Sequence, residues 1–277
     1  MIKTERLHFI RYPGGKQRIT RQIVPYLPRK EVIKGSFVEP FLGGGAVFFV
    51  LEPQHAILAD INTELITLYN GIRLFPLEVW GIFNNFASTK EAYYRIRDTK
   101  IEHKDIAFQA ARTLYLNRTC FKGMWRHNAQ GQFNVGYGGQ SRRWVIDKTA
   151  LLEVSNRLQN TDLLCSDFQP VIDSCGPHDF IFVDPPYLPG ERELLHSHYV
   201  YNKFSFTEYQ RLASVLHQAT QKSIKWALTI SSHPDILSLY QENCIIPLSK
   251  GTGRRPGILT DNPGEVLICN YYSEVSE

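Results

Sequence analysis

The stretch from Phe180 to Tyr187 contains the residue types most suited to chemistry. Four apolar residues are followed directly by Asp184-Pro185-Pro186-Tyr187. The apolar run predicts a short buried strand, and two consecutive prolines remove two amide donors, so neither a helix nor a central strand can continue. The strand therefore ends in a carboxylate, a rigid turn and an aromatic ring, at the edge where open α/β sheets place their active sites.

A second chemical feature is a glycine turn between a predicted strand and a predicted helix. Val38-Glu39-Pro40-Phe41 leads into Gly43-Gly44-Gly45 and then into an apolar helix. Glycines let a ligand approach the backbone amides closely. The dinucleotide pattern does not fit, because Phe48 stands where a third spaced glycine is required, and this counts against NAD and FAD. The next predicted strand ends in Asp60, where a carboxylate can hold a ribose diol, so the pair fits an adenosine-type cofactor without an essential phosphate.

A second glycine turn lies near the amino terminus. Arg11-Tyr12-Pro13-Gly14-Gly15-Lys16 leads into an apolar periodic stretch that predicts a helix ending before Pro28. The phosphate-loop spacing is absent, so this turn is not predicted to bind a nucleotide phosphate.

The order of elements predicts an α/β fold interrupted by an inserted, mainly helical domain. Strands and helices alternate up to Asp60, give way to helical periodicity, and resume with a strand near residue 162. Asp147 is predicted to cap a helix that precedes this strand. Residues 188–204 are long enough for a lid-like loop, and the capping-box spacing of Thr207 to Gln210 predicts the start of a further helix. We predict a catalytic domain at 1–62 and 148–277, and an inserted domain at 63–147 with a hairpin near 121–138.

Charge distribution indicates a polyanionic partner. The 277 residues have a net charge of only +4 and a hydrophobic content of 43%, which suits a globular protein with no membrane-spanning run. Basic residues nevertheless cluster: residues 1–30 carry eight Lys or Arg against one acid, and residues 111–145 carry six with no acid, among six aromatics. Acid-free basic patches favour nucleic acid. The five cysteines show no metal-ligand spacing, so no metal is predicted, and a cytoplasmic location is expected.

Seven segments in order resemble the Dam-like DNA adenine N6-methyltransferases, in which the cofactor segment precedes the target-recognition domain and the catalytic tetrapeptide follows it. They are Arg-Tyr-Pro-Gly-Gly-Lys (11–16), Val-Glu-Pro-Phe-x-Gly-x-Gly-x-Val-Phe (38–48), Ala-Asp-Ile-Asn (59–62), Leu-Asn-Arg (116–118), Gly-x-x-Arg-x-Asn-x-x-Gly-x-Phe-Asn-Val (123–135), Asp-Phe (167–168) and Asp-Pro-Pro-Tyr (184–187). The resemblance implies a Rossmann-like S-adenosylmethionine-dependent methyltransferase sheet with an inserted DNA-recognition domain.

The resemblance also implies the site residues. S-Adenosylmethionine is the expected methyl donor, and a flipped-out adenine is the expected acceptor. Asp184 and the Pro185 carbonyl would accept hydrogen bonds from the adenine amine, with Pro186 completing the turn and Tyr187 stacking on the base. The expected cofactor-binding residues are Tyr12, Lys16, Glu39, Phe41, Gly43, Gly45, Asp60, Asp167 and Phe168.

In the inserted domain, the resemblance implies contacts with double-stranded DNA. Arg126 would read a guanine edge, Phe121 would wedge into the base stack, and Met124 and Arg11 would touch further bases. Arg142 and Arg143 would hold phosphates. The expected DNA-binding set also includes Arg118, Lys122 and Asn128.

The sequence departs from the family pattern at three positions. Lys122 replaces a frequent Asn, Gly136 a frequent Pro, and Tyr12 a frequent Trp, so GATC is the leading expected target without being fixed. Two alternatives stay open: methylation of RNA adenine or of a protein amide, and a nucleic-acid-binding homologue that has lost catalysis. A cognate restriction endonuclease is a further expected partner.

Overall fold

A mixed sheet forms the centre of the computed structural model, which describes Leu7 and residues 9–128, 130–139, 146–187, 204–248 and 264–272. In this part of the chain the sheet has seven strands. They are β1 (Phe37–Glu39), β2 (Ala56–Asp60), β3 (Thr161–Cys165), β4 (Phe180–Val183), β5 (Lys225–Ser231), β6 (Cys244–Leu248) and β7 (Glu265–Cys269).

The order of the strands brings two predicted acids together. The sheet order is β3-β2-β1-β4-β5-β7-β6, in which β1 to β5 are parallel and β7 runs antiparallel between β5 and β6. The connections change direction between β1 and β4, which is the switch point where doubly wound sheets bind ligands. Glu39 ends β1 and Asp184 follows β4, so both lie at this point.

Helices cover the sheet and build the insertion. They are α1 (Thr20–Ile23), α2 (Ala46–Leu51), α3 (Thr63–Leu74), α4 (Pro76–Asn85), α5 (Lys90–Arg97), α6 (Ile106–Thr119), α7 (Lys148–Arg157), α8 (Phe168–Asp173), α9 (Phe206–Gln221) and α10 (Pro234–Leu237). This order confirms the predicted α/β fold, which is Rossmann-like with a helical insertion between β2 and β3. Among the described residues, none of the helices has the length and apolar character needed to cross a membrane.

Successive side chains of β4 pack into hydrophobic clusters on opposite faces of the sheet. Phe180 and Phe182 belong to the hydrophobic cluster on one face, and Ile181 and Val183 belong to the cluster on the other. All four are buried, as expected for a central parallel strand with both faces covered. The turn that follows β4 therefore starts from a fixed position.

The insertion shares its core with one face of the sheet. Tyr69 of α3, Tyr93 of α5 and Tyr115 of α6 are buried in the same cluster as Phe180 and Phe182. Helix α3 packs on α6 and α7 and also on β2 and β3. The predicted boundaries of the insertion at 63 and 147 stay a prediction.

Two local predictions differ from the structure, and two more fall outside the described residues. The amino-terminal helix is broken into a 3-10 turn at Lys16–Arg18, α1, and a second 3-10 turn at Val24–Tyr26, since Pro25 has no amide for a continuous helix. Ser205, not Thr207, caps α9, and it accepts from the Glu208 amide. The loop at 188–203 and the basic residues Arg142 and Arg143 fall outside the described ranges.

Candidate active site

Asp184 lies just past the carboxyl end of β4 and is held by two neighbours. Lys16 Nζ lies 2.7 Å from Asp184 Oδ1, and the Thr229 hydroxyl donates to the same oxygen at 2.8 Å. Thr229 is fully buried in β5, the strand adjacent to β4. Both contacts engage Oδ1, so the second carboxylate oxygen of Asp184 has no hydrogen-bond partner among the described residues.

Lys16 joins Asp184 to a second acid, Glu265. Its ammonium lies 3.0 Å from Glu265 Oε1, donates to the Gly14 carbonyl at 3.1 Å, and sits 4.4 Å from the centre of the Tyr187 ring. The Tyr187 hydroxyl donates to the same Glu265 oxygen. Sequence reasoning expected Lys16 to border the cofactor, whereas the structure shows it inside the Asp184 cluster, only 4% exposed.

Burial and charge shift the titration of this cluster. Burial raises the pKa of Asp184, and the negative charge of Glu265 adds to the effect, against the opposing influence of Lys16. Burial alone would lower the pKa of Lys16, but Asp184 and Glu265 outweigh it, so that pKa lies above its ordinary value. Burial and the two neighbouring acids also raise the pKa of Tyr187 well above its usual range. The tyrosine is therefore a neutral hydrogen-bond donor.

The Pro-Pro turn is anchored to α9. The Tyr209 hydroxyl, from the first turns of that helix, donates to the Pro186 carbonyl at 2.6 Å. Tyr209 itself is completely buried in the cluster beneath the turn. The position of Pro185 between Asp184 and Pro186 is thus fixed from both sides.

The glycine turn after β1 has the backbone that its sequence requires. Gly43 and Gly45 both have positive φ angles, 47° and 61°. The Gly43 amide donates to Asp60 Oδ2 at 3.0 Å, and the Asn62 amide donates to Asp60 Oδ1 at 2.9 Å. Asp60 therefore braces the turn from the end of β2. Burial raises the pKa of Asp60, although these amides oppose the shift.

Glu39 is the buried acid at the end of β1. Its Oε2 atom has no hydrogen-bond partner within the described ranges. Burial, together with the charges of Asp184 and Asp60, raises the pKa of Glu39 well above its usual range, against a single opposing bond from the Phe48 amide. An unpartnered buried acceptor is costly unless a donor arrives from outside the protein.

Aromatic residues close the other end of the site. Phe41 stacks on Phe168 with ring centroids 5.3 Å apart, and Phe204 lies edge-on to Phe41 at 5.7 Å. The Arg211 guanidinium lies 4.1 Å from the centre of the Phe168 ring. It also forms a double hydrogen bond with Asp167, at 2.8 and 2.9 Å. This arginine of α9 lowers the pKa of Asp167 and fixes its carboxylate.

Tyr12 connects the glycine turn to the predicted DNA-reading hairpin. A Cβ atom on Gly43 would lie 3.1 Å from the Tyr12 ring, so the two residues are in close contact. On its other side, the Tyr12 ring lies 5.4 Å from the ring of Trp125. The predicted cofactor site and hairpin are therefore neighbours.

Two isolated bridges lie in and beside the segment predicted as a hairpin near 121–138. Antiparallel bridges join Cys120 to Tyr137 and His127 to Phe133. Arg126 donates to the Asn134 side chain at 2.8 Å and to its carbonyl at 3.3 Å, which fixes the direction of its guanidinium.

Further predicted contacts of the hairpin differ in exposure. Phe121 is 43% exposed, and Lys122 is exposed with a φ angle of 56°. Met124 is half-buried, packed against the core. Asn128 accepts from the amides of Gln130 and Gln132, so in this structure it shapes the hairpin turn.

Two predicted DNA-binding arginines, Arg11 and Arg118, differ in burial. Arg11 packs along Gly123 and donates to the Lys122 carbonyl at 3.3 Å. Arg118 is 4% exposed and donates to the Phe9 carbonyl, and burial, with the charge of Arg11, lowers its pKa to about 10. The buried Arg118 supports the segment that carries Arg11 instead of presenting a surface to a duplex.

A hydrogen bond between a buried histidine of the hairpin and a partly buried glutamate attaches the hairpin to α3. His127 Nε2 lies 2.7 Å from Glu64 Oε2, and Glu64 Oε1 accepts from the Thr113 hydroxyl at 2.9 Å and from Arg112 at 3.5 Å. Burial acts to raise the pKa of Glu64, but His127, Arg112 and Thr113 outweigh it and lower that pKa. Sequence reasoning missed this pair.

Sequence reasoning also missed Thr229, Glu265 and Arg211. Each lies far along the chain from the segment that it contacts, so no local motif includes it. One signal was available for Glu265, which is an acid opening the otherwise apolar run Val266-Leu267-Ile268-Cys269. An acid in a buried strand needs a partner, and its partner is Lys16.

The charges of the site suit a cationic ligand. Four buried or half-buried acids, Glu39, Asp60, Asp184 and Glu265, lie at this edge of the sheet, and the Lys16 ammonium pairs with two of them, Asp184 and Glu265. Within the described ranges no group of His, Cys, Asp and Glu could hold a metal ion. A ligand that brings positive charge and hydrogen-bond donors to Glu39 would therefore complete the site.

Comparison with known proteins gives a consistent result. Residues 12–251 match the model of the family described as D12 class N6 adenine-specific DNA methyltransferase. Type II methyltransferase M1.LlaDCHI of Lactococcus lactis subsp. cremoris is 31% identical over 274 residues, covering 95% of each chain. Type II methyltransferase M.MjaIII of Methanocaldococcus jannaschii is 32% identical over 290 residues, covering 95% of this chain and 98% of the relative. DNA adenine methylase of Haemophilus influenzae is 32% identical over 238 residues, covering 81% and 79%.

Among solved structures, the rRNA methyltransferase aviRa from Streptomyces viridochromogenes aligns over 99% of this chain and 95% of its own, with 12% identity and a TM-score of 0.38.

Proposed function

The chain belongs to the D12 class of N6 adenine-specific DNA methyltransferases, and from this premise we propose how its residues divide the work. Asp184, Pro185 and Tyr187 hold the target adenine, the glycine turn with Glu39 and Asp60 holds S-adenosylmethionine, and the hairpin around Arg126 reads the duplex. The observation that carries the proposal is the hydrogen bonding of Asp184: Lys16 and Thr229 both contact Oδ1, which leaves Oδ2 to accept from the substrate.

The exocyclic amine of adenine is a poor nucleophile, because its lone pair is delocalised into the purine ring. Asp184 Oδ2 and the Pro185 carbonyl can each accept one of its two protons. Two such hydrogen bonds draw the nitrogen towards a tetrahedral geometry and aim its lone pair at the methyl donor. Lys16 and Thr229 keep Asp184 in place while this happens.

The residues present fit S-adenosylmethionine. When bound, it supplies an electrophilic methyl group on a positively charged sulfur. Glu39 Oε2 is an unpartnered acceptor for its ammonium group, and Asp60 lies at the strand end where a ribose is held. Phe41 and Phe168 offer aromatic faces for its adenine, and Asp167, fixed by Arg211, offers an acceptor for the adenine amine.

Transfer leaves the N6 nitrogen with one proton too many. Asp184 is suited to accept that proton, since burial raises its pKa and Oδ2 points at the nitrogen in this arrangement. Tyr187 covers the extruded base, and its ring is held by the bond from its hydroxyl to Glu265. Stacking on the ring would offset part of the unstacking cost of a few kcal/mol.

The hairpin is the proposed reading element. Arg126 is pre-aligned by Asn134, which suits bidentate recognition of guanine, and the exposed Phe121 is suited to enter the base stack. Arg11 lies beside the start of the hairpin and Met124 within it. We propose GATC as the target to test first. Because the substrate is cellular DNA, we also propose a cytoplasmic location, and a cognate restriction endonuclease as a functional partner.

The proposal is tested with tritiated S-adenosylmethionine and duplex DNA. The Asp184→Ala variant should transfer no label, while its affinity for S-adenosylmethionine stays within about tenfold of wild type, since Asp184 acts on the acceptor. Thr229→Val is a milder comparison that removes one bond to Oδ1 and should lower kcat more than it changes either KM. Retained turnover in Asp184→Ala would remove the proposed role.

A further inference from the structure

Glu265 is a buried acid in contact with two parts of the proposed active site. It opens β7, the antiparallel strand that pairs with β5 on one side and β6 on the other. Its Oε1 atom accepts from Lys16 Nζ at 3.0 Å and from the Tyr187 hydroxyl. Its Oε2 atom is buried and has no hydrogen-bond partner in the described part of the chain. Such an acid is costly to bury, which calls for a reason beyond packing.

The contacts of Lys16 show what Glu265 controls. An ammonium has three protons, and Lys16 directs them at Asp184, Glu265 and the Gly14 carbonyl. Removing the Glu265 acceptor frees one proton and lets the long lysine side chain rotate. Asp184 Oδ1 would then lose its most strongly charged partner or keep it in a poorer geometry.

The contact with Tyr187 has a separate effect. The Tyr187 hydroxyl is tied to Glu265, and the ring lies 4.4 Å from the Lys16 ammonium. The orientation of the ring is thus set by the same carboxylate that holds the lysine. A single residue at the start of β7 therefore aligns both the carboxylate and the ring that face the substrate.

We propose that Glu265 is a positioning residue for methyl transfer, acting on Asp184 through Lys16 and on the target base through Tyr187 without touching either substrate. The inference rests on the proposed role of Asp184. It differs from a packing role in a measurable way, because Glu265 also sets the charge of the cluster.

The charge effect predicts a shift of the pH profile. The groups facing Glu265 are Lys16, Asp184 and Tyr187. Glu265 raises the pKa of both Lys16 and Asp184. Neutralising it lowers both, so the acid limb and the alkaline limb of the kcat profile should both move to lower pH, by roughly one pH unit.

The first experiment compares Glu265→Gln, Glu265→Asp and wild type. The Gln variant should lower kcat about tenfold, leave the KM for S-adenosylmethionine within about threefold, and shift both limbs to lower pH. The Asp variant keeps the charge and should keep the wild-type limbs. Glu242→Gln makes the same chemical change at an exposed position before β6 and should match wild type. A lower kcat with unmoved limbs in the Gln variant would overturn the proposal.

A double variant provides an independent test. Lys16→Met leaves Asp184 and Glu265 as two unneutralised acids, which raises the pKa of Asp184 and holds it protonated. Adding Glu265→Gln removes one of those charges, so the double variant should be more active than Lys16→Met alone. A packing role predicts the reverse, a double variant less active than Lys16→Met. The comparison needs only Lys16→Met and the double variant, so it does not depend on the activity of Glu265→Gln alone.

The roles of Asp184 and Glu265 can be refuted separately. Turnover in Asp184→Asn would refute the proposed role of Asp184 itself. Loss of turnover in Asp184→Asn, together with an unshifted profile in Glu265→Gln, would refute only the role of Glu265.

Discussion

Replacing Glu39 with Gln should raise the stability of the protein and lower its affinity for S-adenosylmethionine. Glu39 ends β1, is 3% exposed, and has one oxygen with no partner among the described residues. Burial and the nearby charges of Asp184 and Asp60 raise its pKa well above the usual range. The amide keeps the shape of the side chain and removes the charge.

The sign of the stability effect follows from the raised pKa. Between the ordinary pKa of a glutamate and the raised value, the folded protein holds a proton that the unfolded chain has released. The free energy of unfolding therefore falls as pH rises through this window, by up to about 1.4 kcal/mol per pH unit for one proton. Gln does not titrate. Glu39→Gln should thus be about 1–3 kcal/mol more stable than wild type at pH 8, with the difference shrinking towards pH 5.

The effect on binding should have the opposite sign. A charge-assisted hydrogen bond contributes about 1.5–3 kcal/mol, so its loss should weaken S-adenosylmethionine binding about tenfold to a hundredfold. Urea unfolding at several pH values measures the first effect and titration calorimetry with S-adenosylmethionine the second. Glu78→Gln on the exposed face of α4 is the matched control. A stability difference that does not vary with pH would refute the reasoning, as would undiminished affinity.

Three further predictions address the hairpin, the glycine turn and the link between them. Arg126→Ala should relax sequence choice at one base pair by about 1–3 kcal/mol, measured over a panel of substituted duplexes; an unchanged preference would contradict its reading role. Gly45→Ala should lower the free energy of unfolding by about 1–2 kcal/mol and lose most of the affinity for S-adenosylmethionine, because the φ angle of Gly45 is 61° and a Cβ there would lie 3.0 Å from the Phe49 ring. Gly81→Ala in α4 is the control: a Cβ there would have no atom within 4 Å, so this variant should be as stable as wild type or more stable. Glu64→Gln should lower the free energy of unfolding by about 1–3 kcal/mol at pH 7, because it removes the carboxylate that accepts from His127, Arg112 and Thr113. The folded protein lowers the pKa of Glu64, so the stability that this carboxylate contributes is lost as pH falls through that pKa. The difference in stability between wild type and Glu64→Gln should therefore shrink in acid, and a difference that does not change with pH would contradict this prediction.

Local features of the site could be predicted because each of them depends on a few consecutive residues. The buried strand ending at Asp184, the glycine turn after Glu39 and the acid ending β2 each combine an apolar run with a breaker. The parallel order of β1, β2 and β4 then brings them to one edge. Positive φ angles at Gly43 and Gly45 explain why glycines occupy those positions.

Contacts between distant segments could not be predicted in the same way. Lys16, Asp184 and Glu265 meet only because β7 inserts antiparallel beside β5, and no spacing in the sequence encodes that register. Arg211 is one of several polar residues on α9, and only the packing of α9 on α8 directs it at Asp167. Arg118 shows the converse error, since an arginine in a basic stretch was expected on the surface and is buried.

Analysis of the methylated nucleoside tests the central claim most directly. Unmethylated duplex DNA incubated with the protein and S-adenosylmethionine should yield N6-methyladenine after digestion to nucleosides, and DNA treated with Asp184→Ala should yield none. Sequencing of the modified positions would then identify the target. Methylated cytosine, methyl groups on RNA alone, or equal N6-methyladenine from the Asp184→Ala variant would contradict the account.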